Sequence, residues 1–288
     1  MIAVLRHELS LFYHSMTGYI FGAFLLLFTG IGALLYNINA SVANFEYVLD
    51  FISIIFIVLV PILTMRIISE EKKQKTDQLL YSLPITSTDI IVGKFLSLFV
   101  VFLIPIVIIC IYPLIFAQFG DVYLPTSYGS MIAFIFMGMA LISMGMYISA
   151  LTDSQGIAAG ICVAFMLFNY FCASLSDYVS ATAVGALISL IVIAALLALV
   201  IRYMTRSNIM ALLLFVVCSI ASVVVYFVNS DLLNNLLPNI MKKISLFERF
   251  SVFVNGIFDL TGIVYYISVI VFFLFLCVQA LEKRRYNG

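Results

Sequence analysis

The chain has no tryptophan and only two histidines, His7 and His14. Charge is also scarce: 14 basic and 14 acidic residues among 288, cancelling to zero. A soluble domain is about 25% charged and about 45–50% apolar, whereas 65% of these residues are apolar. A water-soluble fold of this size has no interior large enough for that surface, and the same figures exclude disorder. With zero net charge and no long basic run, nucleic-acid binding is not expected. Catalytic patterns are missing too. There is no H-E-x-x-H for a metalloprotease and no G-x-S-x-G nucleophile turn. No phosphate-binding G-x-x-x-x-G-K-[ST] exists either: Gly93-Lys94 is followed by Phe95, without a glycine-rich loop before it. The expectation is a non-enzyme that holds no cofactor of its own. The cysteines (Cys110, Cys162, Cys172, Cys218, Cys277) are odd in number and form no C-x-x-C, so neither a disulfide framework nor a metal site is indicated. Small packing residues are the simpler reading.

What remains is a polytopic membrane protein. A transmembrane helix needs about 20 mostly apolar residues, and eight stretches qualify: 17–36, 50–67, 95–117, 130–151, 156–175, 183–202, 208–228 and 262–281. Their runs of Leu, Ile, Val and Phe lack the alternation of a β-barrel strand. The least secure boundary is Thr152–Gln155, between the fourth and fifth stretches. Lys and Arg set the orientation. With a cytoplasmic N-terminus, the inside holds Arg6, Arg66, Lys72, Lys73, Lys75, Lys94, Arg202, Arg206, Lys283, Arg284 and Arg285, eleven of the 14 basic residues. Only Lys242, Lys243 and Arg249 fall outside, and an even number of spans returns the C-terminus to the cytoplasm. Tyr19, Tyr36, Tyr47, Tyr123, Tyr128, Tyr178, Tyr226 and Tyr265 sit near span ends, where they can supply the aromatic belt that tryptophan does not. No ionisable residue lies at the centre of a span, which weakens an ion-coupled carrier.

The first sixteen residues carry Glu8 and no cleavage pattern, so they are not expected to be a signal peptide. Ile2, Leu5, Leu9, Phe12 and Met16 recur at helical spacing, while Arg6, Glu8, Ser10 and Tyr13 lie elsewhere. This reads as an amphipathic helix in the inner membrane surface, with a frayed leader as the alternative. The expected organisation is one transmembrane domain over 1–288. Within it lie the interfacial helix 1–16, a cytoplasmic segment 66–94 and an extracytoplasmic amphipathic segment 229–261.

Charge gathers in residues 66–94, which hold Arg66, Glu70, Glu71, Lys72, Lys73, Lys75, Asp77, Asp89 and Lys94. The pattern is helical: Glu71/Lys75 and Lys73/Asp77 form i,i+4 pairs. Thr76, Leu79, Leu80 and Leu83 share one face, and Pro84 stops the helix. Thr86 to Asp89 reads as the cap of the next helix. A solvated hairpin resting on lipid accounts for this pattern. So does a stiff element presented to a cytoplasmic partner.

Residues Leu63 to Phe99, LTMRIISEEKKQKTDQLLYSLPITSTDIIVGKFLSLF, resemble the signature of type-2 ABC transporter permeases. Within that class they resemble the branch of gliding-motility and copper-processing permeases. The matching features are the L-T-M-R span end at Arg66, the acids Glu70-Glu71, the pair Lys72-Lys73, Thr76, Leu79-Leu80, Pro84 and Gly93-Lys94-Phe95. Lys75 departs from the pattern, since that family usually has glycine there. Residues Phe253 to Tyr286, the N-terminal helix and Ala150 to Gly160 fit as well. Residues 178–230 add two spans to a family that is typically six-span. The resemblance implies an all-α transmembrane permease subunit of a bacterial inner (plasma) membrane, an exporter in which a separate ATPase subunit's ATP hydrolysis is coupled to substrate movement. It would act as a dimer with a second copy or paralogue, alongside separate ABC ATPase subunits that bind ATP and Mg. The helix over 69–83 would be the coupling helix in a groove of the ATPase. Arg66, Glu70, Glu71, Lys72, Thr76, Leu79, Leu80, Leu83 and Pro84 would form the contact. Glu70 and Glu71 would pair with basic groups of the partner or of the N-terminal helix. An extracytoplasmic accessory protein and membrane lipid complete the implied partners. The alternative is a membrane anchor or sensor that recruits a cytosolic protein without transport.

Two further features bear on motion. Pro61, Pro105 and Pro113 lie in or near the second and third spans, where proline kinks a helix. In segment 229–261, Phe247, Phe250, Val254 and Ile257 follow 3, 4, 3 spacing after Pro238. That suggests short helices dipping into the outer leaflet, as an outer gate or a docking surface.

Overall fold

The computed structural model describes residues 1–76, 85–180, 182–205, 208–228 and 233–287. The described residues contain helices and no strand. In chain order the helices are α1 (Ile2–His14), α2 (Thr17–Ala33), α3 (Glu46–Thr64), α4 (Ser69–Gln74), α5 (Ser87–Ile109) and α6 (Tyr112–Phe116). They continue as α7 (Leu124–Leu151), α8 (Gln155–Ser176), α9 (Ala183–Thr205), α10 (Asn208–Val228), α11 (Leu236–Ile244), α12 (Leu246–Val254) and α13 (Leu260–Asn287). A π-helical turn, Leu34–Asn39, prolongs α2.

Among the described residues, six helical segments are long and apolar enough to cross a membrane: Thr17–Asn39, Glu46–Gln74, Ser87–Phe116, Leu124–Leu151, Gln155–Ser176 and Leu260–Arg285. The chain is a multi-pass membrane protein and a polytopic helical bundle. The other two expected spans, 183–202 and 208–228, coincide with α9 and α10. The boundary expected at Thr152 is a real break, with Thr152 in extended backbone between α7 and α8. Pro113 lies in the first turn of α6, where its missing N–H costs nothing. Pro61 and Pro105 lie inside α3 and α5.

The chain groups into two compact units, Met1–Phe168 with Arg249–Gly288, and Asn169–Glu248. The first unit has an aromatic core. Phe56 of α3 lies 4.7 Å from Phe134 of α7 and 5.7 Å from Phe102 of α5, by ring centroids. Phe102 also meets Phe21, and Phe134 meets Phe250. Glycine makes these contacts possible on α7. A Cβ at Gly138 would collide with the Phe102 ring, and one at Gly145 with the Thr64 side chain. The second unit has a small core of Ala186, Leu233 and Leu237, flanked by Val179, Ala183, Leu190, Tyr226 and Leu236.

The amphipathic segment after residue 233 is helical, as expected, but its apolar face is shorter. Phe247, Phe250 and Phe253 are buried, while Ile257 is exposed. The helix stops at Val254 and Gly256 takes a left-handed φ of +84°, so the periodicity no longer holds by Ile257.

Candidate functional site

The charged segment leaves α3 at Thr64 through a turn, Met65–Ile68, and enters α4. A turn in a helix-forming chain strands backbone groups that need partners. Ser149, fully buried on α7, supplies them. Its hydroxyl accepts from the N–H of Ile68 (3.3 Å) and of Ser69 (3.2 Å) and donates to the Met65 carbonyl (3.2 Å). Glu70 and Glu71 then fall in the first turn of α4, where carboxylates are favoured by the unpaired N–H groups.

One buried lysine organises the site. Lys94, two turns into α5, is 1% exposed. Its ammonium donates to Glu8 Oε1 of α1 at 2.5 Å, to Glu71 Oε1 of α4 at 2.7 Å and to the Ile67 carbonyl at 3.0 Å. An ammonium has three donors, and these acceptors use all of them. The Ile67 carbonyl lies in the turn before α4, outside any helical ladder, so it is available to accept. Glu8 is 5% exposed. Gly93 lets α1 come close enough: a Cβ there would lie 3.1 Å from both the Met1 carbonyl oxygen and the Val4 side chain. The Gly93-Lys94-Phe95 pattern is thus a packing notch, a buried cation and a buried ring in succession.

Each expected site residue has a definite place. Arg66 forms a two-pronged pair with Glu70, Nε to Oε2 at 2.8 Å and Nη2 to Oε1 at 3.3 Å. The third guanidinium nitrogen of Arg66, Nη1, donates to Thr17 Oγ1 (3.0 Å), which ties the segment to the start of α2. Lys72 is buried, and its ammonium donates to the Ala150 carbonyl near the C-terminus of α7, where cations are favoured. Lys72 also lies 4.0 Å from Asp153, which Arg284 of α13 contacts at 2.7 Å. Thr76 donates to the Glu71 carbonyl at 3.4 Å. Leu79, Leu80, Leu83 and Pro84 lie outside the described residues.

Three differences from the sequence reading matter. The acids find cations within their own chain: Glu70 pairs with Arg66 and Glu71 with Lys94, while the N-terminal helix contributes an acid, Glu8, instead of a base. Glu8, assigned to the polar side of α1, is buried on its inward side. The helix expected over 69–83 is broken after Gln74, where Lys75 adopts the left-handed conformation (φ 58°, ψ 20°) and caps α4; residues 77–83 of that expectation lie outside the described residues. That is the position where the resembling family usually has glycine, and the turn forms here without one. By contrast the cap at Thr86 is as expected: its hydroxyl accepts from the Asp89 N–H (3.2 Å) and donates to the Asp89 carboxylate (2.7 Å).

Sequence reasoning missed Glu8, Lys94, Ser149, Asp153 and Arg284 as members of the site. A lone acid on an amphipathic helix and a lone lysine at the lip of an apolar run each suggest a solvated charge, though both are costly to leave unpaired there. That cost was the available signal. Together the bonds join α1, α4, α5, α7 and α13 through a few polar side chains. The arrangement fastens the short helix α4 to the ends of its neighbouring helices.

The comparison with protein families gives one finding. A model described as ABC-2 family transporter protein matches residues 33–177, half of the chain and all of the segment from α3 through α7. No curated protein and no solved structure matches the chain.

Proposed function

Because the chain belongs to the ABC-2 family of transporter proteins, we propose that it is the permease subunit of an exporter powered by a separate ATPase. The ATPase docks on residues 66–84, using Thr76 and the leucines at 79, 80 and 83, while Glu70 and Glu71 hold the segment to the chain through Arg66 and Lys94. ATP and Mg are bound by that partner. A second copy or a paralogue of this chain completes the pathway through a bacterial inner membrane, with both termini cytoplasmic. An accessory protein on the outer side belongs to the same proposal.

The observation that supports this reading is the three-bond anchorage of Lys94. A partner that closes on nucleotide binding moves whatever it grips. For that movement to reach the spans, the gripped element must be joined stiffly to them. Removing one member of a buried ion pair costs about 3–5 kcal/mol, so α1, α4 and α5 are expected to move as one body. A two-state shift of packed helices then opens or closes the path.

The test is co-purification with the ATPase and measurement of ATP hydrolysis in liposomes. The paired substitutions Glu70→Lys and Glu71→Lys, or Leu79→Asp and Leu80→Asp, are expected to abolish coupling while membrane insertion persists. Recovery of the ATPase with the variant at wild-type yield and activity would overturn the proposal.

A further inference from the structure

Within the Asn169–Glu248 unit, two short helices meet end to end: α11 stops at Ile244 and α12 starts at Leu246. The break is built by Ser245, whose backbone is extended (φ −65°, ψ 119°). Ser245 also caps α12: its hydroxyl accepts from the Glu248 N–H at 3.2 Å, as a serine three residues before a glutamate commonly does. A break of this kind orphans carbonyls at the end of one helix and N–H groups at the start of the next. At the surface, water takes them. Here the joint is dry: Ser245 and Leu246 are fully buried and Phe247 is 7% exposed, with its ring against Tyr170.

One side chain bonds to both sides of the break. Asn169, 5% exposed in the apolar helix α8, accepts at Oδ1 from the Leu246 N–H (3.0 Å) and donates through Nδ2 to the Ile244 carbonyl (3.3 Å). A carboxamide is the side chain that can present one acceptor and one donor in a plane to such a pair. A polar group at this depth in an apolar helix is expensive unless fully bonded, and backbone groups in a membrane must be satisfied within the protein or by water in a cavity. The joint therefore has two low-energy arrangements. Either Asn169 holds both backbone groups, or water enters and holds all of them. Intermediate openings leave unpaired polar atoms in an apolar site.

We infer that Asn169 is the latch of the α11–α12 joint, and that passage across the outer face requires its two bonds to be released to water. The inference rests on the permease reading, and it assigns a positioning residue rather than a substrate contact. A tie within this unit between α11 and the residue after α8, Lys242 to Asp177 at 2.9 Å, joins two largely exposed side chains and is a weak restraint.

Amide hydrogen exchange at Leu246, read by fragmentation of the peptide that contains it, tests the latch in the intact protein and in its complex with the ATPase. Asn169→Ala is expected to speed exchange at Leu246 at least tenfold and to leave amides in the middle of α7 unchanged. Asn169→Asp keeps the acceptor for Leu246 but loses the donor and sets a carboxylate oxygen against the Ile244 carbonyl, so it too is expected to speed exchange at Leu246, and it serves if the alanine variant does not fold. In the wild-type complex, protection at Leu246 is expected to fall during ATP turnover. Exchange at Leu246 as slow in Asn169→Ala or Asn169→Asp as in the wild type overturns the latch. Protection that persists during sustained turnover overturns it too, by making Asn169 a static anchor. If no ATPase associates, the permease reading fails, and the variant effects at Leu246 still decide whether Asn169 closes the joint.

Discussion

At the scale of single residues, the most consequential side chain is Lys94. Its ammonium is the common partner of Glu8 and Glu71, so removing it leaves two carboxylates without their cation, one of them in a dry site. Lys94→Ala is expected to destabilise the detergent-solubilised protein by about 3–5 kcal/mol, read as a lower thermal midpoint. Lys94→Met combined with Glu8→Gln and Glu71→Gln keeps the volume and removes the stranded charges. The triple variant is expected to recover much of that loss, yet to couple poorly, since neutral side chains hold the elements less rigidly. A triple variant as unstable as Lys94→Ala would show that packing, rather than charge, governs the site. Lys242 behaves differently. The hydrogen bond and charge of Asp177 raise its pKa above the ordinary lysine value. A raised cation stabilises fully below its unfolded pKa and loses that contribution as pH rises through the folded one. The Lys242–Asp177 tie is therefore expected to persist through neutral pH and to weaken only in strong alkali, with Lys242→Ala abolishing that alkaline change in a pH series of thermal melts.

At the scale of elements, α4 is a short helix that ends at Gln74. Lys75 in left-handed backbone is the reason, and it carries a strain that glycine avoids. Lys75→Gly is expected to be neutral or to stabilise by up to about 1 kcal/mol, measured by thermal unfolding, provided the turn is kept. A loss of stability instead would mean that the lysine side chain contributes more than its backbone costs. The same segment shows where the sequence was informative. The spans were legible because an apolar run of about 20 residues has few alternatives, and the α5 cap was legible because Thr86 and Asp89 sit three apart. The break at Lys75 was hidden, since Glu71/Lys75 spacing favours helix and nothing local forbids it. The Glu8–Lys94 pair was hidden for another reason: its members are 86 residues apart, and only the packing of α1 across Gly93 brings them together. Asn169 looked like an ordinary polar interruption of an apolar run until the helix break it serves was in view.

At the scale of the whole molecule, the family match and the helical bundle agree on a membrane permease of the ABC-2 class. The polar network collects at one end of the first unit's helices, and none of its members crosses the apolar middle of a span. Such a distribution suits a molecule that receives motion at one face and supplies none of its own energy. Purified alone, the chain is expected to show no ATP hydrolysis, and activity is expected to appear only when the ATPase subunit is added. The measurement that tests this account most directly uses Lys73→Cys, at an exposed position on α4, in cells that also make the ATPase. A membrane-impermeant maleimide is expected to spare that position in intact cells and to label it in inside-out vesicles. There, a short bifunctional reagent is expected to cross-link it to the ATPase. Labelling from outside intact cells, or no cross-link to the ATPase in a complex that purifies together, would contradict it.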